Sequence, residues 1–172
     1  MSCIESRALL IQGNRYPRSH LEPLDLVHYV AVPGQQQQQH RPLHNDWFPD
    51  AQLPPAIEGG NRASTILAYV HVRNGTTGGG TNFPLLDAPR DPRWCDVVDC
   101  DEPWERGLTF RLVEGNAIYW GNLFPEHVGG GGDQRTMHSG LALTSGEKMG
   151  LNIWTREGRM SEEIRGYDDS LV

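Results

Sequence analysis

The sequence of 172 residues predicts an all-β fold, an antiparallel barrel or jelly roll with one or two flanking helices. Two observations support this prediction. Short apolar segments rich in β-branched residues recur along the chain with glycine turns between them. Twenty glycines and twelve prolines are many for this length, and they favour short elements joined by turns over long helices. The length suits one domain around a single core.

The N-terminal part predicts one helix and one strand. Ile4 to Ile11 is the helical candidate, and a loop follows from Asn14 to Pro17. From Leu24 to Val32 two sets of residues alternate, as in a strand with two different faces. The glutamine run at 35–39 then interrupts the pattern and predicts a solvated loop.

The middle of the chain predicts a β-hairpin between two loops. Ser64 to Val72 is apolar, β-branched and free of breakers, which is typical of a buried strand. Asn74 to Gly80 is a glycine-rich turn, and Thr81 to Leu86 is predicted to be the returning strand. The flanking segments, Pro49 to Gly60 and Asp87 to Arg106, are rich in proline and polar residues and are predicted to be loops.

Three further apolar segments predict strands in the C-terminal part, at 108–113, 117–123 and 149–155. Glu114-Gly115-Asn116 forms a turn between the first two. Glycines 129 to 132 predict a flexible loop ahead of His138. The charged tail after Arg156 is expected to fray.

Composition excludes two classes of function and leaves the compartment open. The net charge of −7 and the lack of a Lys/Arg cluster argue against nucleic-acid binding. No stretch approaches the roughly 20 apolar residues of a membrane span. The first 13 residues lack the layout of a signal peptide, so the chain is either not secretory or short of its true N-terminus. Cys95 and Cys100 are close enough to pair in an oxidising compartment, and two free thiols are an equal alternative.

The sequence contains a candidate metal site at His44-Asn45-Asp46. Two residues apart on a strand, an imidazole and a carboxylate point to the same face and supply two ligands of the facial triad of non-haem iron oxygenases. The third ligand must be a histidine from elsewhere in the barrel, and His138 lies in a segment that can return beside the first strand. His40 and His71 are better explained as a loop residue and a structural or exposed histidine.

Lys148 is a candidate anion-binding residue. It precedes the apolar segment Leu151 to Trp154, and a lysine directed into a barrel is costly unless an anion pairs with it. The distal carboxylate of 2-oxoglutarate is such an anion. On pattern alone, a solvated lysine on the surface is an equal alternative.

Four segments together resemble a known family. The segment from His138 to Glu157 resembles the C-terminal signature of prolyl 4-hydroxylase catalytic domains, in which a lysine that binds 2-oxoglutarate follows an iron-binding histidine by ten residues, as Lys148 follows His138. The other three resemble, in the same order, the family's His-x-Asp segment, its glycine-rich turn and a later strand. They are His44 to Phe48, Gly78 to Pro84 and Gly115 to Trp120, and the resemblance extends from about Leu24 to Arg156.

The resemblance implies a double-stranded β-helix and an Fe(II)- and 2-oxoglutarate-dependent dioxygenase. Iron is then expected on His44, Asp46 and His138, and 2-oxoglutarate on Lys148 and Tyr29, with Thr81 lining the same pocket. The implied reaction uses O2 to hydroxylate a C–H bond of a peptide or protein substrate, in the best-known members a peptidyl proline, and releases succinate and CO2. L-ascorbate is expected to restore oxidised iron, and the endoplasmic reticulum lumen is the compartment that the family implies.

The chain also departs from the family pattern. Asn45 replaces an aromatic residue, the glutamine run at 35–39 is inserted between Tyr29 and His44, and the chain begins near the family's first helix. We therefore expect residues 1–172 to be a single, N-terminally truncated dioxygenase domain. Two alternatives stay open: a truncated, catalytically inactive relative that binds metal or peptide, and a metal-dependent cupin-type enzyme that does not use 2-oxoglutarate. Asp46 argues against a halogenase, which leaves that position free for halide.

Overall fold

The computed structural model describes residues 2–32, 34, 40–125 and 131–166. The glutamine run at 35–39 lies outside the described residues. So do His127, glycines 129 and 130 of the predicted loop, and the end of the charged tail from 167 onward.

Within the described residues, ten strands and two α-helices form the fold. In chain order the elements are α1 (Ser2–Ile11), β1 (Asp25–Val30), β2 (Arg41–His44), β3 (Arg62–Val72), β4 (Thr77–Gly78), β5 (Thr81–Phe83), β6 (Leu108–Phe110), β7 (Ala117–Gly121), β8 (His138–Gly140), β9 (Leu143–Ser145), β10 (Glu147–Arg156) and α2 (Glu162–Arg165). Single 3-10 turns lie at Arg18–His20, Asp50–Gln52, Pro92–Trp94, Trp104–Arg106 and Gln134–Thr136. None of the described helices is long and apolar enough to cross a membrane.

The strands form two four-stranded antiparallel sheets and a small third one. The first sheet has the order β1-β10-β3-β7, the second has the order β2-β8-β5-β6, and β4 pairs with β9. Tyr69 of the first sheet packs with Phe83 of the second in one buried cluster, so the two sheets enclose a shared core. This is the double-stranded β-helix, which confirms the predicted fold class.

The predicted hairpin between Ser64–Val72 and Thr81–Leu86 is wrong. β3 pairs with β10 and β7, whereas β5 crosses to the second sheet and pairs with β6 and β8. Glycine makes the crossing possible, because a Cβ at Gly80 would lie 2.5 Å from the carbonyl oxygen of Phe110. The strand also ends at Phe83, before a turn.

The two faces of the first sheet bury different groups. On the outer face, Ala8 of α1 packs against Leu21, Ile66, Leu151 and Ile153. The inner face looks toward the second sheet, and in β1 it carries every second residue beginning with Asp25. Helix α1 therefore covers the outside of the barrel and leaves the space between the sheets for a site.

The C-terminal tail does not fray at once, contrary to the expectation from its charge. Met160 is buried and bridges to Glu58, and Arg165 of α2 forms an ion pair with the buried Glu5 of α1. One apolar anchor and one buried ion pair therefore hold the described part of the tail against the body of the domain.

The long connection between β5 and β6 is the predicted loop at Asp87–Arg106. Cys95 and Cys100 form a disulfide within it, which decides between the two alternatives left open by the sequence. Val98, between the two cysteines, is buried and bridges to Phe110 of β6. The loop is thus fastened to the edge of the second sheet.

Candidate metal centre and its cavity

The structure brings His44, Asp46 and His138 together at one end of the space between the sheets. His44 is the last residue of β2 and lies opposite His138, the first residue of β8. Their ring centroids are 4.3 Å apart because residues that face each other across antiparallel strands have neighbouring side chains. Asp46 lies in the bend after β2 rather than on the strand itself, so the end of β2, and not strand alternation, directs it to the site.

The three side chains converge on one small volume. Their ligand atoms all lie within 4.8 Å of one another. His44 Nε2 is 3.6 Å from Asp46 Oδ1, and His138 Nε2 is 4.0 Å from Asp46 Oδ2. Two imidazole nitrogens and one carboxylate are the donor set of a facial triad, which suits Fe(II) and leaves other coordination positions open.

Backbone carbonyls orient both imidazole rings. His44 Nδ1 lies 2.8 Å from the carbonyl oxygen of Pro42, and His138 Nδ1 lies 2.9 Å from that of Thr136. A carbonyl can only accept, so each Nδ1 carries the proton and each Nε2 keeps its lone pair for a metal. Both rings therefore present the correct atom to the site.

A buried hydrogen-bonded chain orients the carboxylate. Thr65 Oγ1 donates to Asp46 Oδ2 over 2.7 Å, and Asn122 Nδ2 donates to Thr65 Oγ1 over 2.9 Å. Thr65 and Asn122 are both 0% exposed. Because Thr65 belongs to β3 and Asn122 follows β7, the first sheet fixes a ligand that comes from the second.

The protonation states in the site are those that a metal requires. Burial raises the pKa of Asp46, but the opposing effects of His44, His138, Thr65 and Arg62 outweigh burial, so that its pKa lies at about 2. Burial lowers the pKa of His138, which Asp46 only partly offsets. At neutral pH the carboxyl group is therefore an anion and the His138 imidazole is neutral, as metal binding demands.

A cavity of about 150 Å³ adjoins the three residues. Lys148 lines it and is 6% exposed, so it points into the barrel and is not the solvated lysine of the alternative reading. Its Nζ donates a hydrogen bond to the carbonyl oxygen of Gly79 and lies 5.2 Å from the centre of the Tyr29 ring. Within the described part of the chain, no carboxylate lies within 4.0 Å of this ammonium group.

This buried cation indicates what the cavity can accept. Burial lowers the pKa of Lys148 to about 8, and no neighbouring charge opposes that effect. A buried charge without a counter-ion is costly, and an anion bound beside it would remove the cost. A cavity with a metal-binding triad and an unpaired lysine fits a dicarboxylate that chelates the metal at its other end.

Tyr29 and Thr81 line the same cavity. Tyr29 of β1 lies opposite Lys148 of β10 in the strand register, and burial raises its pKa. Thr81 is buried, and its hydroxyl group lies 2.7 Å from that of Tyr69. The structure therefore places both predicted residues on the cavity wall despite the glutamine run between Tyr29 and His44.

Several residues of the site were not predicted from the sequence. Tyr69 and Thr65 lie in the strand predicted at Ser64–Val72, and strand alternation alone could have placed both on its inner face. No sequence pattern distinguishes Asn122, or Arg41, which also lines the cavity. Among the described residues, no second group of three or more His, Cys, Asp and Glu side chains could hold a metal.

Comparison with known proteins shows relatives of one kind. No family model matches the chain. Two curated proteins of Arabidopsis thaliana are similar over 157 residues, prolyl 4-hydroxylase 13 at 27% identity and prolyl 4-hydroxylase 1 at 26%. Each alignment covers 91% of this chain but only 50% and 48% of the relatives, so the chain spans about half the length of the curated relatives it matches.

Solved structures show the same relationship in the fold. The viral collagen prolyl hydroxylase of Paramecium bursaria Chlorella virus-1, in its 2-oxoglutarate complex, matches with a TM-score of 0.59 at 20% identity, over 89% of this chain and 70% of that one. A truncated form of the viral enzyme matches with a TM-score of 0.58 at 21% identity, over 89% and 66%. The resemblance to prolyl 4-hydroxylases inferred from the sequence is thus confirmed.

Proposed function

We propose that this prolyl 4-hydroxylase-like chain is an Fe(II)- and 2-oxoglutarate-dependent dioxygenase that hydroxylates a peptidyl proline. One observation carries the proposal. The only lysine of the sequence, Lys148, is buried in the cavity that also contains the His–Asp–His triad, and no described residue supplies a counter-ion for it. The prolyl hydroxylases among the relatives and structural neighbours support the class of enzyme.

Iron would be held by His44 Nε2, His138 Nε2 and the Asp46 carboxylate. When bound, iron and 2-oxoglutarate together supply the chemistry that places one oxygen atom of O2 on a C–H carbon and releases succinate and CO2. L-ascorbate is proposed as the reductant that restores oxidised iron, and loss of turnover with time in its absence would support that role.

Lys148 would anchor the distal carboxylate of 2-oxoglutarate by a charge-assisted hydrogen bond. The Tyr29 hydroxyl is proposed to donate to the same carboxylate. Thr81 would contribute its hydroxyl group from the opposite wall, and its contact with Tyr69 limits the orientation of that group. These residues orient one end of the co-substrate so that its other end faces the triad.

Aromatic side chains pack behind His138, on the side of its ring that faces the core. The His138 ring centroid lies 5.3 Å from that of Phe83 and 4.9 Å from that of Trp120. These two large rings leave no room for water on the core side of His138. They also fix the plane of its imidazole ring.

The substrate and the compartment are further proposals, which rest on the relatives and on the disulfide rather than on the metal site. Prolyl specificity rests on the named relatives, and the loops at Pro49–Gly60 and Asp87–Arg106 are proposed to shape it. We also propose an oxidising compartment, the endoplasmic reticulum lumen, which the Cys95–Cys100 disulfide supports. Protein from its native source should then contain one free thiol, that of Cys3, rather than three.

The first test is the visible charge-transfer band of purified protein given Fe(II) and 2-oxoglutarate without oxygen. The band should disappear in His44→Ala and His138→Ala, and Lys148→Ala should need more 2-oxoglutarate to develop it. His71→Ala is the matched control, because His71 pairs with Glu114 at the surface and should leave the band unchanged.

Each alternative class predicts a different result. Absence of the band in folded protein would contradict the proposal. A band without succinate release from any prolyl peptide under oxygen would favour an inactive, binding-only relative. Metal-dependent activity that does not require 2-oxoglutarate, and that Lys148→Ala leaves almost unchanged, would favour the cupin-type enzyme.

A further inference from the structure

We infer that Arg41 selects a substrate with a carboxylate next to the carbon that is hydroxylated, so that this chain acts on acidic sites. The inference rests on the proposed function and specifies its substrate. The shared chemistry is a carboxylate, which could come from an Asp or Glu side chain or from the C-terminus of a peptide.

Arg41 faces the cavity because of an irregularity in β2. It pairs with Gly140 of β8, and His44 pairs with His138, but the register shifts between the two pairs. In a regular strand, residues three apart point to opposite faces. The irregularity places Arg41 and His44 on the wall of the same cavity.

The guanidinium group of Arg41 has no anionic partner within the described residues. Its closest polar contact is a long one, from Nε to His44 Nε2 at 3.5 Å. Arg62, which lies near the same triad, is instead paired with Glu22 at 2.7 Å. Asp25 also lines the cavity, but its carboxylate accepts from Asn152 Nδ2 at 3.0 Å. Among the described residues, Arg41 and Lys148 are therefore the two cations of this cavity that lack an anionic partner, and Lys148 is already assigned to 2-oxoglutarate under the proposed function.

A metal on His44 would remove the side-chain hydrogen bond that the described residues offer to Arg41. The Nε2 lone pair cannot accept a hydrogen bond from Arg41 and bind a metal at the same time. The guanidinium group would then lose this acceptor and be available to bind an anion. Arginine binds carboxylates through two parallel N–H groups, which gives direction as well as charge.

The position of Arg41 points to the substrate rather than to 2-oxoglutarate. Lys148 is buried at the inner part of the cavity, whereas Arg41 is exposed. Opposite it, a Cβ at Gly140 would lie 3.3 Å from the Cβ of Arg41, so glycine there leaves room for the arginine side chain. An exposed arginine next to the metal ligands can contact a substrate at the mouth of the cavity while 2-oxoglutarate occupies the buried part.

The test compares matched prolyl peptides and matched protein variants. Four peptides share one core: three have amidated ends and carry Glu, Gln or Lys beside the proline, and the fourth ends in a free proline carboxylate. Binding is measured by calorimetry with Zn²⁺ and 2-oxoglutarate, so that no turnover is needed. The variants are Arg41→Gln, Arg41→Lys and Arg41→Glu, with Arg73→Gln as an exposed control outside the cavity.

We expect the unmodified protein to prefer the Glu peptide or the free-carboxylate peptide over the Gln peptide by about tenfold, as for a charge-assisted hydrogen bond. Whichever of the two binds tighter identifies the source of the carboxylate. Arg41→Gln should lose the preference, Arg41→Lys should keep part of it, and Arg41→Glu should favour the Lys peptide.

Three results would overturn the inference. They are equal binding of the Glu, Gln and free-carboxylate peptides, a preference that survives in Arg41→Gln, and no binding of any acidic peptide. An increased 2-oxoglutarate requirement in Arg41→Gln, measured by the anaerobic charge-transfer band, would assign Arg41 to the co-substrate instead. If the unmodified protein shows no band, the proposed function itself is contradicted. This result distinguishes failure of the proposed function from failure of the inference about Arg41.

Discussion

Replacing Lys148 with methionine should make the metal-free protein more stable while it removes the proposed 2-oxoglutarate anchor. Lys148 is 6% exposed and has no anionic partner among the described residues, and burial lowers its pKa from 10.5 to about 8. Methionine has a similar length and no charge, so it can fill the same space without the cost of desolvating an ammonium group.

The size of the effect follows from the pKa. A decrease from 10.5 to about 8 corresponds to roughly 3 kcal/mol of unfavourable free energy for the charged form, since one pKa unit equals about 1.4 kcal/mol. The variant also leaves the carbonyl of Gly79 without its donor, which costs about 1 to 2 kcal/mol. We therefore expect a net gain of about 1 to 2 kcal/mol in the free energy of unfolding at pH 7.

The gain should depend on pH in a defined direction. Between pH 8 and 10.5 the unfolded chain holds the Lys148 proton more tightly than the folded chain does. The stability contributed by this group therefore rises with pH across that window, and the advantage of the variant shrinks. Other groups titrate equally in both proteins and cancel in the difference.

Urea unfolding of both metal-free proteins at pH 7 and pH 10 measures the gain, and an anaerobic titration with 2-oxoglutarate measures the loss. A variant that is less stable than the unmodified protein at pH 7, or a difference that does not change with pH, would refute the argument that the charge is buried without compensation. An unchanged 2-oxoglutarate requirement would refute the role of Lys148 as anchor.

Three further predictions concern the metal ligands and the loop. Thr65→Val should weaken metal affinity about 10- to 100-fold, because Asp46 loses its orienting donor; metal titration measures this, and unchanged affinity would contradict it. Removal of the metal by a chelator should abolish the charge-transfer band and lower the melting temperature, and added Fe(II) should restore both. A melting temperature that does not change with the metal would mean that the folded chain does not bind it. Reduction of Cys95–Cys100 should lower the free energy of unfolding by about 2 kcal/mol, as expected for a short loop, and a Cys95→Ser/Cys100→Ser variant should be no longer sensitive to reductant.

Local patterns in the sequence predict the fold class and the triad. His44-Asn45-Asp46 is a local signal, and the spacing from His138 to Lys148 supports it. The direction of Lys148 was open on pattern alone, because an element at the edge of an apolar run can face either way. The structure decides it, since β10 lies between β1 and β3 and its inner face looks into the cavity.

The features that the sequence does not predict are non-local. The wrong hairpin arose because a glycine turn at Gly78–Gly80 does not tell which sheet receives the next strand. The chain from Asn122 through Thr65 to Asp46 depends on the pairing of β3 with β7, which no single segment encodes. Arg41 faces the cavity only because β2 is irregular.

The attachment of β2 couples metal binding to the local stability of this strand. Among the described strands, β2 pairs only with β8, at two positions, yet it carries His44 and leads directly into Asp46. A metal that joins these residues to His138 would hold this edge strand of the second sheet against its neighbour. Iron loss and local opening of β2 are then one equilibrium, so protease cleavage near residue 41 should report iron occupancy.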